Sequence, residues 1–152
     1  MKSYLIKYLT TLMFLLVICS VPLNAGAHSK DDPNRWLAPH EMAQRVNPVN
    51  KAPESIQRGK DLYVKHCTLC HGPEALGDGP AANTLKQKPS NLVAMAGMHE
   101  DGDVAWKIAE GRGLMPGWQE RLTEEQIWDL VNFIQSLKGT LMEGSPKNMK
   151  KH

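Results

Sequence analysis

The sequence has little that would hold it in a bilayer. Its most apolar run, "LMFLLVI" at residues 12–18, falls short of the ~20 residues that a spanning helix needs. The run follows Lys2 and Lys7 and precedes Ala25, Gly26 and Ala27, the small residues a signal peptidase requires. Residues 1–27 therefore read as a signal peptide cleaved after Ala27, with export to the periplasm and no stable membrane span afterwards. An uncleaved anchor is the competing reading, and N-terminal sequencing of exported protein separates the two. Ile18 is too bulky to precede a lipidated Cys19.

An excess of one charge is also missing. Residues 1–27 contain two lysines and no acids, which leaves sixteen basic against sixteen acidic side chains. That argues against nucleic acid, whose binding rests on surplus Lys and Arg. Cysteine is scarce: without Cys19 only Cys67 and Cys70 remain, in a compartment that favours oxidation. A disulfide closing two intervening residues would constrain the unfolded chain very little, so the pair is chemical and not a staple. No segment alternates with period 2, no repeat appears, and no acid–base dyad stands out. The Asp and Glu residues read as solvated helix faces and caps.

What is present is a helical chain. Residues 28–53 form an arm rich in Pro and Asn, extended apart from a helical turn near 40–45, with Trp36 as its anchor. Helical spacing of Ile56, Leu62 and Tyr63 predicts a helix over 54–66, and Gly59 within it implies close approach of another backbone. The partner is the strongest helix in the chain. Thr123 and Gln126 make a capping box before Ile127, Leu130, Val131, Ile134 and Leu137, and Lys138 and Gly139 close it. The crossing is expected near Leu130 and Ile134. A shorter helix is predicted over Asp101–Glu110, stopped at Gly111, and residues 140–152 form a basic polar tail. The domain at 54–139 is thus all-α, with three to four short helices around a long middle loop. Its apolar side chains are too few for a large core, so something else fills its centre.

Cys67, Cys70 and His71 lie in "CTLCHG". A redox dithiol needs a βαβ setting, and the flanks here are helical and loop-like. A structural zinc site needs four ligands, but no second paired spacing exists. Cys-x-x-Cys-His is the attachment signal for haem c: two thiols reach two vinyl groups on one porphyrin edge, and the adjacent histidine binds iron. One covalently bound haem would supply the missing apolar centre.

From residue 59 to 137 the chain resembles the class I c-type cytochromes, particularly the small bacterial monohaem ones. The resemblance rests on the helix with Gly59 and Tyr63, on "CTLCHG", "GDGPAANTL", "KPSNL" and "GRGLMPGW", and on the closing helix "EEQIWDLVNFIQSL". It implies the cytochrome c fold. It further implies that the carbonyl of Pro80 accepts from the second nitrogen of His71, with Gly77 and Gly79 letting the loop fold back.

For the sixth iron position the candidates are Met95, Met98, His99, Met115 and an open site. Met115 is preferred, because flanking glycines free its loop, Pro116 stiffens it, and the distal methionine of the family precedes the closing helix. His71 and Met115 are thus the expected metal ligands. Met95 and Met98 read as packing residues. His66 and His99 read as surface residues. Trp106, Trp118, Lys88, Asn91 and Arg112 are candidates to meet the haem propionates, and spacing does not choose among them.

His/Met ligation closes both axial positions and raises the potential. The expected function is therefore not catalytic. It is single-electron transfer between redox protein partners, a dehydrogenase, oxidase or reductase, by a free carrier or as the cytochrome subunit of a larger oxidoreductase. The alternative is a haem enzyme or gas-binding protein with a labile sixth ligand.

Overall fold

A computed structural model describes residues 36–139. The expected signal peptide, the first part of the arm and the basic tail lie outside the described residues. The chain divides into the units Met1–Trp36 and Leu37–His152, and every described helix belongs to the second.

The described residues form six α-helices and no strand: α1 His40–Ala43, α2 Pro53–His66, α3 Thr68–His71, α4 Leu92–Met95, α5 Asp101–Glu110 and α6 Glu124–Ser136, with a 3-10 turn at Ala82–Thr84. The all-α expectation holds. The number of helices exceeds the three to four expected because α1, α3 and α4 are each a single four-residue turn, too short to show a hydrophobic period. No described helix is long and apolar enough to cross a membrane.

The frame is the crossing of α2 and α6, the most extensively packed pair of helices. Pro53 opens α2 at a position where its missing N–H costs nothing. The capping box of α6 forms as expected: Thr123 Oγ1 accepts from the Gln126 N–H, and Gln126 Oε1 accepts from the Thr123 N–H. Tyr63, Trp128, Leu130 and Val131 are almost wholly buried between the elements, and the Tyr63 and Phe133 rings lie 5.1 Å apart. Gly59 makes the crossing possible. A Cβ there would strike the Asp129 carbonyl and lie 2.9 Å from Phe133 Cβ. The contact falls at Asp129 and Phe133, one residue before the expected Leu130 and Ile134, because the glycine meets exposed backbone beside the apolar ridge and not the ridge itself.

Two carboxylates are buried, not solvated as the sequence suggested. Asp129 is 2% exposed and accepts from the Ser55 hydroxyl at 2.6 Å and from Arg58 through Nε at 2.8 Å and NH2 at 2.7 Å. Asp103 accepts from Lys107 Nζ at 2.6 Å and from the Ala38 N–H at 2.9 Å, and it pairs with His99 Nδ1 at 2.9 Å. A buried carboxylate is tolerated when its lone pairs are matched in this way. His99 is accordingly a half-buried partner of Asp103 and not a free surface residue.

Candidate haem-attachment site

α2 ends at His66, and Cys67 serves both as its C-cap and as the N-cap of α3. The N–H groups of Cys70 and His71 both donate to the Cys67 carbonyl, at 3.1 and 2.9 Å. This one turn brings Cys67, Cys70 and His71 to the same side, since residues three and four apart are helical neighbours. The buried hydroxyl of Tyr63 donates to the Gly72 carbonyl at 2.6 Å and ties the turn back to α2. Burial, with smaller repulsion from Cys67, Asp78 and Glu74, pushes the Tyr63 phenol upward, which keeps its proton in place.

Both thiols are free and partly buried. Burial, with a smaller push from Cys70, raises the Cys67 thiol to about 12. That is the reverse of the lowered pKa a redox dithiol uses to expose a thiolate.

His71 Nδ1 lies 3.1 Å from the Ser90 carbonyl oxygen. A carbonyl only accepts, so the ring proton belongs on Nδ1 and Nε2 keeps its lone pair. Burial also lowers the pKa of His71, although the Ser90 bond acts in the opposite direction. The neutral imidazole is the form that binds metal. The acceptor is therefore Ser90 and not Pro80 as the resemblance implied. The loop through Gly77 and Gly79 does fold back, but onto the outside of α3, where Gly79 N–H donates to the Cys70 carbonyl and Ala81 N–H to the Leu69 carbonyl. Pro80 is left exposed at that bend, and it is Ser90 that reaches the His71 ring.

Met115 sits in a pinched loop. Its N–H donates to the Arg112 carbonyl at 3.1 Å, and its carbonyl accepts from the Arg112 N–H at 2.9 Å. Gly111 and Gly113 both have positive φ, and a Cβ at Gly111 would meet the Met115 carbonyl oxygen and Pro116 C, each at 2.5 Å. Trp118 N–H donates to the carbonyls of Ile108 and Ala109, which ties the loop to the end of α5. Met115 is half-buried and packs against the core cluster that Cys67 also touches. Of the other candidates, Met98 is 76% exposed, Met95 is half-buried on α4, and His99 is held by Asp103.

His66 is not solvent-facing. Its ring lies 4.8 Å from that of Trp118, while the Arg121 guanidinium covers the same indole at 5.7 Å. Burial first, then Lys65 and Arg121, lowers the His66 pKa. Among the propionate candidates, Trp118 is in this stack, Asn91 Oδ1 caps α4 by accepting from the Ala94 N–H, and Lys88 and Arg112 are exposed. Trp106 lines a separate cavity of about 270 Å³ with Arg45 and Trp128.

An all-α fold with two free thiols and a neutral, oriented histidine on one turn defines a c-type cytochrome domain of class I. Residues 54–134 match the family described as "Cytochrome C oxidase, cbb3-type, subunit III", and with more than half of the chain matched, the protein belongs to that family. It is 28% identical over 110 residues to the cbb3-type cytochrome c oxidase subunit FixP of Sinorhizobium medicae, covering 68% of this chain and 37% of that protein. It is 26% identical over 86 residues to cytochrome c6 of Synechococcus elongatus, covering 55% of this chain and 94% of that protein. A chain of the reducing HAO-like protein complex of Kuenenia stuttgartiensis has a similar structure, with TM-score 0.54 and 27% identity, over 60% of this chain and 47% of that one. The present chain thus spans little more than a third of the FixP relative. The family's cofactor is one covalently attached haem c, and the donor set at Cys67, Cys70 and His71 suits it.

Ser90 was not legible as a site residue. The only signal was its place in "KPSNL", because which carbonyl reaches a histidine depends on how a loop closes.

Proposed function

We infer that this protein carries single electrons between redox protein partners in the periplasm. Cys67 and Cys70 would hold haem c through thioethers, and His71 Nε2 and Met115 Sδ would bind its iron. The haem would supply one-electron, ferrous–ferric chemistry. The chain's own residues hold that chemistry still. Ser90 keeps the His71 ring oriented, the Arg112–Met115 pinch limits the travel of the thioether, and Leu76, Leu92 and Trp118 bring apolar surface to the same core. Fixed ligands change little between oxidation states, which suits transfer and leaves no open position for a substrate.

The observation that carries this reading is the His71–Ser90 hydrogen bond on the turn that bears both thiols. The FixP relatives are oxidase subunits by name, and the Kuenenia chain is part of a complex. Both support a carrier that works as the cytochrome subunit of a larger oxidoreductase, with a free carrier as the other form. Size-exclusion of native extracts distinguishes the two.

The test is a spectrum of the reduced protein before and after carbon monoxide. The wild type should bind negligibly near neutral pH, and Met115→Ala should bind readily with a lowered potential, because the thioether that favours ferrous iron is gone. A rapid, full Soret shift in the wild type would overturn the carrier reading in favour of a haem enzyme or gas-binding protein.

A further inference from the structure

The loop at 72–79 contains one residue that touches both partners of the His71–Ser90 hydrogen bond. The Gly77 N–H donates to the His71 carbonyl at 2.8 Å. On its other side, a Cβ on Gly77 would strike the Pro89 carbonyl and lie 3.1 Å from both C and O of Ser90. That Ser90 oxygen is the atom on which His71 Nδ1–H rests. Gly77 also has φ +80, so only glycine suits both its conformation and its space.

A second tether lies two residues earlier. Ala75 is buried and held at φ +59, the single non-glycine in the left-handed region among the described residues. Such a conformation persists where the surroundings over-determine it. Here the Ala75 N–H donates to the Gly72 carbonyl at 3.2 Å, and its carbonyl accepts from the Leu92 N–H at 2.8 Å. Asn91, between Ser90 and Leu92, is fixed in turn by capping α4. The Ser90 peptide is therefore bounded on one side by Gly77 and held on the other by Leu92 and Asn91.

We propose that this loop is a buttress for the Ser90 carbonyl, with Gly77 as a positioning residue that sets the electron donation of His71 to its metal. The proposal rests on the reading of His71 as an axial ligand. A hydrogen bond from Nδ1–H to a carbonyl makes the ligating nitrogen more basic. A more basic ligand favours ferric iron, so loosening the bond should favour ferrous iron and raise the reduction potential.

Three variants of the holoprotein test this. Gly77→Ala forces the Pro89 carbonyl, and the Ser90 carbonyl with it, off the positions that meet His71. Its potential should rise, with the one-electron equilibrium moving on the order of tenfold, about 59 mV. In the reduced protein, the His71 Nδ1 proton should exchange with deuterated water at least tenfold faster by NMR. Leu92→Pro removes the N–H that reaches Ala75 and shortens a side chain packed on the core, at a backbone position that suits proline: Asn91 is already extended at φ −74 and ψ 105, and proline is accepted at the first helical position. It should shift both readouts in the same direction by less, and it decides the matter alone if Gly77→Ala does not fold. Gly139→Ala, at φ +87 in open space beyond α6, adds backbone strain without a clash. It should lower the denaturation midpoint and move neither readout. Unchanged potential and exchange in the Gly77 and Leu92 variants, with haem still attached, would overturn the buttress and leave the carrier reading standing. Rapid carbon monoxide binding by the wild type would overturn that reading and leave the His71 measurements interpretable.

Discussion

The two ends of α2 are held by different means. Around Ser55 and Gly59 the helix lies against α6 through buried side chains and a matched carboxylate. From Tyr63 onward it passes into single turns, glycines with positive φ and backbone carbonyls, and Cys67, Leu76, Leu92, Met115 and Trp118 are only partly buried there. The first end is an ordinary protein core. Order at the second end depends on loop geometry and, on the proposed reading, on a haem joined at Cys67 and Cys70. The two ends should therefore fail separately and for different reasons.

The largest effect should come from breaking the attachment end. Cys67→Ala or Cys70→Ala leaves one thioether, and each should give poorly matured protein with an altered pyridine haemochrome spectrum. Acid-acetone should extract no haem from the wild type, and extraction of all of it would refute covalent attachment.

Breaking the crossing should come next. Gly59→Val drives a branched side chain into the Asp129 carbonyl and Phe133, and overpacking of this kind costs about 1–3 kcal/mol, with this site at the upper end. The denaturation midpoint should fall while the haem spectrum of folded protein stays as it was. An unchanged midpoint would show that α2 and α6 do not meet at Gly59.

A milder change sharpens the same contrast. Asp129→Asn keeps the shape and removes the charge that Ser55 and Arg58 address, a loss of about 1.5 kcal/mol. Denaturant titration should show it in the midpoint, again without a change of potential.

The smallest effect lies within the attachment end, at His66. Its pKa is lowered in the folded state, so on acidification the unfolded chain takes up its proton first. Stability from this group is therefore level above the ordinary histidine value and falls as the pH drops from there toward the lowered one. His66→Phe keeps a ring against Trp118 and removes the titration. Between pH 7.5 and 5.5 the wild type should lose more stability than the variant. An equal loss would show that His66 does not contribute.

The regular half of the molecule was the legible half. Thr123 and Gln126 announce α6 because a capping box is local, and Gly59 announces a close approach because a mid-helix glycine needs a reason. The register of that approach was not legible, since apolar spacing marks the ridge while glycine contacts the backbone beside it. Cys67, Cys70 and His71 stand out in the sequence because attachment chemistry demands contiguous residues, and the structure places them on one turn. Ser90 was not legible, because it lies nineteen positions beyond His71 and only the closed loop shows which carbonyl arrives. The burial of Asp103 and Asp129 was hidden for a similar reason: their partners His99, Lys107, Ser55 and Arg58 become partners only once the helices have packed.

The amide of Asn132 has a consequence for where the foldable unit begins. Its Nδ2 donates to the carbonyls of Val49 at 3.2 Å and Asn50 at 3.4 Å and to Ser55 Oγ at 2.8 Å, while its Oδ1 accepts from Asn47 Nδ2 at 2.9 Å. Arg45 pairs with Glu124 farther along the same helix. Cutting the chain before Pro53 would leave a nearly inaccessible amide with most of its partners missing, a penalty of about 1–3 kcal/mol for each unsatisfied group. The segment from Leu37 to Ala52 should therefore melt together with α6 and not fray ahead of it. Its slowest-exchanging amides should open only when the whole domain unfolds, and the shortest fragment able to fold alone should start near Leu37.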